Sequence, residues 1–180
     1  MEFPLPCRFE THRLLLREPH PADAQVLFAS YTQDVDVARY MVWRPHADIA
    51  ETDAFIQDCI AAWQGGVRRP YVIERRGHPG EAVGMLEARW VRHTVDIGYV
   101  LARPHWGMGL MPEAVAALAE TALDDPRVFR VQGVCDVDNP ASARTFEKSG
   151  FSREGRLERH MVHPNIGAEP RACFLYARCR

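Results

Sequence analysis

Residues 97–114 read IGYVLARPHWGMGLMPEA, from Ile97 to Ala114. The order is a short apolar strand, a turn with glycines at 107 and 109, and the opening of an alanine-rich helix. Such an order suits an anion. Glycines let the main chain approach a ligand closely, and a helix start offers unpaired N–H groups and the positive end of its dipole. A phosphate-bearing ligand is therefore implied. The known nucleotide loops do not fit, because G-K-[ST] is absent and Pro112 stands where a dinucleotide fingerprint needs a third small residue. Taken alone, the pattern also fits a plain tight turn.

A second stretch, residues 134–151, reads VCDVDNPASARTFEKSGF. The two stretches, in this order, resemble the GNAT superfamily of acyl-CoA-dependent N-acetyltransferases, and within it the RimJ/RimL branch, the ribosomal-protein N-terminal acetyltransferase type. That branch reads roughly I-G-Y-x-L-x-P-x-x-W-G-x-G-x-x-x-E-A and then N-x-x-S-x-x-x-x-E-K-x-G-F. Residues 11–17, THRLLLR, are similar to its opening strand T-x-R-L-x-L-R, and Arg156-Leu157 with residues 171–176 are similar to its tail. The resemblance covers nearly the whole chain. It implies an α/β fold with a mixed, largely antiparallel sheet of about seven strands, splayed at its centre, with helices on both faces. It also implies acetyl-CoA as co-substrate, no metal, and an amine as acceptor.

Composition sets bounds of its own. A chain of 180 residues without a Pro/Gly/Ser linker reads as one domain, 1–180. A net charge of −2 with interspersed signs argues against nucleic acid or a membrane as partner. Arg68, Arg69, Arg75 and Arg76 cluster in what reads as a solvated loop and strand end. Five cysteines without C-x-x-C spacing read as free thiols, and no signal-peptide pattern opens the chain, so a cytoplasmic protein is expected, as a monomer or homodimer. The eight histidines have no metal-ligand spacing.

Periodicity places strands over 13–17, 71–75, 82–90, 94–101, 129–136, 152–162 and 171–178. Helices are expected over 21–31, 49–63, 112–123 and 140–149, with a helical turn near 35–40. Gly150 should cap the last of these helices. The strands and helices do not alternate strictly, which disfavours a doubly wound nucleotide fold.

The resemblance assigns roles to particular residues. The backbone of Val100 and Leu101 would meet the pantetheine arm. The amides of Trp106, Gly107, Met108, Gly109, Leu110 and Met111 would hold the pyrophosphate, with the Trp106 side chain packing. Pro112 suits a first helical turn, where a missing N–H costs the helix nothing. Pro104 replaces the Gln or Arg of the general family cradle, a substitution the RimJ/RimL branch tolerates. Asn139 reads as a helix cap and also occupies a cofactor-contacting position. Phe146 stands where many relatives carry a tyrosine that protonates the leaving thiolate, which leaves Ser142 as the nearest alternative donor. Glu87, and after it Asp96, are the candidate bases near the expected opening. Tyr40, Trp43, His46 and a turn over 156–163 should form the acceptor pocket. The alternative to an enzyme is a catalytically silent acyl-CoA-binding regulatory domain.

Overall fold

The computed structural model describes residues 3–66 and 68–180. One sheet carries eight strands: β1 (Arg8–Glu10), β2 (Leu14–Arg17), β3 (Arg68–Arg75), β4 (Ala82–Val91), β5 (Thr94–Leu101), β6 (Arg130–Asp136), β7 (Ser152–Val162) and β8 (Pro170–Cys179). Their order is β1-β2-β3-β4-β5-β6-β8-β7, antiparallel at every junction except the parallel pair β5–β6. The strand that periodicity does not reveal is β1. It has only Phe9 between Arg8 and Glu10, too short to alternate, and it exists because β2 offers an edge to pair with.

Alternation along the strands sorts the sheet into two apolar faces. Tyr71, Ile73, Leu86, Ala88, Val95, Ile97 and Val131 pack under the helix α4 (Leu110–Asp124), together with Phe146 from α5 (Pro140–Lys148). Val72 and Met85 turn the other way, against α1 (Asp23–Leu27) and α3 (Ile49–Gly65). The short α2 (Val35–Ala38) is capped by Asp34, whose carboxylate accepts from Asp36 N and Val37 N.

The helix expected over 21–31 is shorter, because α1 widens into a π-turn at Phe28–Thr32. That turn frees the Thr32 carbonyl to accept from His46 N at 2.9 Å, which ties the following loop down. Helix α4 begins at Leu110, two residues before Pro112, so the proline lies inside the first turn. Helix α5 closes at Gly150 as expected, with Gly150 N and Phe151 N returning to the carbonyls of Glu147 and Phe146. The arginine cluster divides: Arg76 is exposed at the end of β3, as expected, whereas Arg68 and Arg69 are engaged in the fold. Arg69 lies 4.9 Å from the ring centroids of both Phe3 and Trp63, and Arg68 bonds Asp58 at 2.5 Å. No described helix is long and apolar enough to cross a membrane.

Candidate active site at the sheet opening

β5 and β6 pair only over Thr94–Asp96 and Arg130–Gln132, after which they diverge toward their C-terminal ends. The wedge is aromatic. A Cβ on Gly133 would lie 2.6 Å from Phe146 Cζ and 3.0 Å from the Ile97 carbonyl, so only glycine lets the ring seat at the apex. Phe146 is itself 1% exposed and stacks on Tyr176 at 5.2 Å. The opening lies at the carboxyl ends of parallel strands, the usual ligand position in open sheets, with the N-termini of α4 and α5 following those ends.

Successive residues of an antiparallel strand present their backbone groups alternately to the two sides. Val100 pairs with Met85, and its carbonyl turns to β4, where a Cβ on Gly84 would come within 2.3 Å of it. The backbone edge left facing the opening therefore belongs to Tyr99 and Leu101, not Val100. The Leu101 carbonyl already accepts from Trp106 Nε1 at 2.7 Å. This bond corrects the expectation that the indole packs: Trp106 is 47% exposed and acts as a strut across the turn.

Beyond Trp106 the chain passes through Gly107 and Gly109 at φ +75° and +73°, which an L side chain rarely adopts. Among the described residues nothing accepts from the N–H groups of Gly107, Met108 and Gly109. Leu110 and Met111, the first residues of α4, have no intrahelical acceptor either. Residues 107–111 thus present consecutive free N–H donors at the positive end of a helix of 15 residues. Their apolar side chains divide: Met108 is half-exposed, while Leu110 and Met111 anchor in the core.

Ser142 lies in the first turn of α5, its N–H bonded to Asn139 Oδ1 at 3.1 Å, so Asn139 does cap the helix. Ser142 Oγ is 2.8 Å from the hydroxyl of Tyr99, a contact that spans from β5 to α5 on the α4 side of the opening. Burial pushes the Tyr99 hydroxyl well above the usual tyrosine range, so it stays protonated. Tyr99 is a functional candidate that its strand position hides, since an aromatic in an apolar strand reads as core. Cys135, on β6, is buried, and its thiol is pushed up to about 11 by that burial.

Glu87 faces Gly98 across β4–β5, two residues beyond Asp96, the last β5 residue paired with β6. It is held by Arg68 at 3.2 Å and Arg89 at 3.4 Å. Asp96 sits at the apex, bonded to Arg89 at 3.0 Å and to Gln132 at 3.3 Å. Both carboxylates are therefore beside the opening, and both are paired with arginine.

The expected acceptor residues assemble from distant segments. Tyr40 donates to the Asp138 carbonyl at 2.7 Å and stands edge-on to His163 at 6.1 Å. The rings of Trp43 and His46 lie 5.5 Å apart, tilted by 53°, and burial lowers the His46 pKa, favouring the neutral ring. Residues 156–162 are strand rather than turn; the turn begins at His163. Asn165, within it, donates to the carbonyls of Ala38 and Trp43 at 2.6 and 2.8 Å, clasping the β7–β8 hairpin to α2. Beneath lies Asp136, fully buried and doubly bonded by Arg171 at 2.6 and 3.1 Å. Burial works to raise its pKa, but the hydrogen bonds and charge of Arg171 outweigh it and hold the carboxyl below the usual range.

This geometry matches known proteins. The family model described as "Acetyltransferase (GNAT) domain" matches residues 13–152. The uncharacterized N-acetyltransferase YoaA of Bacillus subtilis (strain 168) is 32% identical over 157 residues, covering 84% of this chain and 86% of YoaA. Two solved structures share the fold. One is the Microcin C7 self immunity acetyltransferase MccE in complex with acetyl-CoA and AMP (TM-score 0.84, 22% identity, 94% of each chain). The other is RimL, a ribosomal alpha-N-protein acetyltransferase, in complex with coenzyme A (TM-score 0.81, 22% identity, 97% of each chain). With a splayed sheet, a free-amide turn after β5, and a family match over 140 of its residues (13–152), the chain belongs to the GNAT acetyltransferase family and is an N-acetyltransferase.

Proposed function

We propose that this protein transfers the acetyl group of acetyl-CoA directly to a primary amine in a ternary complex, and that a peptide or protein N-terminal α-amine is the favoured acceptor. The observation that carries the donor half is the run of free N–H groups over 107–111 at the mouth of the opening. Those amides bind the pyrophosphate, and the free backbone edge at Tyr99 guides the pantetheine arm inward. The donor supplies an electrophilic thioester carbonyl, and the protein orients it. The amine forms the new C–N bond as the C–S bond breaks. Ser142, with its oxygen beside the Tyr99 hydroxyl, gives its proton to the departing thiolate, and the proton lost by the amine nitrogen returns through solvent to restore the Ser142 hydroxyl. Asn139 fixes the turn that carries Ser142 and, beside the arm, can contact it.

Acceptor preference follows from proton chemistry. An α-amine has a pKa of about 7.7 to 8.0 and is substantially neutral near pH 7.4, whereas lysine at about 10.4 is neutral roughly once per thousand molecules. Glu87, held between Arg68 and Arg89, is the candidate base, and the preference rests on the acidity of the amine itself. Small-molecule amines with similar acidity fit the same chemistry.

Two peptides of one sequence test this, one blocked at its N-terminus with a free lysine, the other with the lysine blocked. Acetyl-CoA consumption is followed by thiol release and the acetyl group located by mass spectrometry. Release with the free α-amine, slower on lysine by roughly two to three orders of magnitude, is expected. Equal or faster modification of lysine defeats the α-amine preference. Tight CoA binding without thiol release, for any amine tried, would favour a silent regulatory domain.

A further inference from the structure

The residues that orient the cradle come from the other end of the chain. Arg13, which immediately precedes β2, places Nη1 2.9 Å from the Met108 carbonyl and Nη2 3.1 Å from the Gly109 carbonyl. In a planar trans peptide the C=O and the following N–H point in opposite directions. Anchoring these two carbonyls on one guanidinium therefore turns the N–H groups of Gly109 and Leu110 to the far side, away from Arg13. Gly109 has no intrinsic preference that would do this, since glycine at φ +73° is free to leave that conformation.

A second problem sits one turn further on. Glu113 stands in the first turn of α4, where a carboxylate is attracted to the same positive helix end that a phosphate needs. It is drawn off. Glu113 Oε2 accepts from Arg13 Nε at 2.6 Å, and Oε1 accepts from Arg13 N at 2.8 Å and from Thr11 Oγ1 at 2.5 Å. Burial works to raise its pKa, but the hydrogen bonds from Thr11 and Arg13 prevail and hold it below the usual carboxylate range. The charge is thus present at neutral pH, and Arg13 lies against it. One side chain fixes the direction of two amides and neutralises the one acidic group of the turn that follows.

We infer that Arg13 is a positioning residue for the pyrophosphate of the acyl donor, acting through the Met108 and Gly109 carbonyls and through Glu113. The inference rests on the acetyl-CoA reading above, and it places the phosphate specificity of the site partly outside the loop that touches the phosphate.

The test compares two donors, acetyl-CoA and S-acetyl-pantetheine, which keeps the thioester and lacks every phosphate. Arg13→Ala should lower kcat/KM for acetyl-CoA by roughly 10- to 100-fold, as expected for losing hydrogen bonds from a charged donor, while kcat/KM for S-acetyl-pantetheine stays within about twofold. Adding Glu113→Gln to Arg13→Ala should restore part of the acetyl-CoA loss by removing the uncovered charge. Arg13→Lys, which keeps the charge without the fork that spans two carbonyls, should fall between, and it carries the same comparison if Arg13→Ala melts too early to assay. Equal losses for both donors, or no loss for acetyl-CoA, would overturn the inference. A wild-type protein that uses the two donors equally well would instead overturn the cradle reading on which it rests.

Discussion

The two sides of the opening are built on different principles. On the proposed donor side the groups are backbone amides over 107–111, held by turns, a helix start and the guanidinium of Arg13. On the proposed acceptor side they are side chains from the end of α2, the loop at Trp43 and the β7–β8 hairpin, clasped through Asn165. A backbone site demands particular residues at fixed spacing, because glycine conformation and helix phase leave little choice. A side-chain pocket needs only that distant segments meet. The donor side should therefore be brittle to single changes and common to relatives, and the acceptor side tolerant and specific to this chain.

The sharpest way to break this contrast is Gly109→Asp. It forces a side chain onto φ +73°, with its Cβ 3.5 Å from the Arg13 guanidinium, and sets a negative charge at the turn that should receive an anion, so CoA affinity should fall by about 100-fold or more in calorimetric titration of the folded variant. Unchanged affinity would reduce the cradle to a turn. Gly150→Val, at the far end of α5, serves as control, and it should cost about 1 to 2 kcal/mol of stability while leaving CoA binding intact.

Ser142→Ala should lower kcat by roughly 10- to 100-fold with the CoA dissociation constant nearly unchanged. A loss of CoA binding instead would move Ser142 to the donor shell, and no loss of either would leave it structural. Tyr99→Phe should have a smaller effect, about 3- to 10-fold on kcat, because it removes the group that orients Ser142 rather than the donor itself. Since burial raises the Tyr99 pKa, the hydroxyl is neutral throughout the working range. The pH–rate profile should show no tyrosine limb below pH 9, and its rise should track the amine. A limb that vanishes in Tyr99→Phe would contradict this.

The smallest effect belongs to the acceptor side. Asn165→Ala removes two hydrogen bonds that clasp the hairpin, each worth about 1 kcal/mol, and should raise the acceptor KM by roughly 3- to 10-fold. CoA affinity should not move. A matching loss of CoA affinity would show that the two sides are not separable.

The same division explains what could be read from the residues. The strand–glycine–helix order of 97–114 and the Asn139-Pro140 start of α5 carry local backbone signals, so the strand, the glycine turn and both helix starts are legible in the sequence. Val100 was misplaced because alternation tells which residues share a face, not which edge carries the free N–H. The Trp106 side chain is expected to pack, and which group its indole N–H meets, the Leu101 carbonyl, depends on the geometry of the turn. Arg13 and Glu113 are 100 residues apart and meet only through folding, and so do Asp136 with Arg171 and Asn165 with Ala38. No spacing rule reaches across such distances. Pairing of the three-residue β1 likewise depends on an edge that exists only once β2 and β3 have formed.

The central claim is that the free amides of 107–111, at the opening between β5 and β6, bind the pyrophosphate of an acyl-CoA. A crystal structure of the protein soaked or grown with acetyl-CoA tests it most directly. Phosphate oxygens are expected within hydrogen-bond distance of the N–H groups of Gly109 and Leu110, with the pantetheine arm along Tyr99 and the thioester sulfur beside Ser142. Ordered acetyl-CoA bound elsewhere, with those amides still facing solvent, would contradict it.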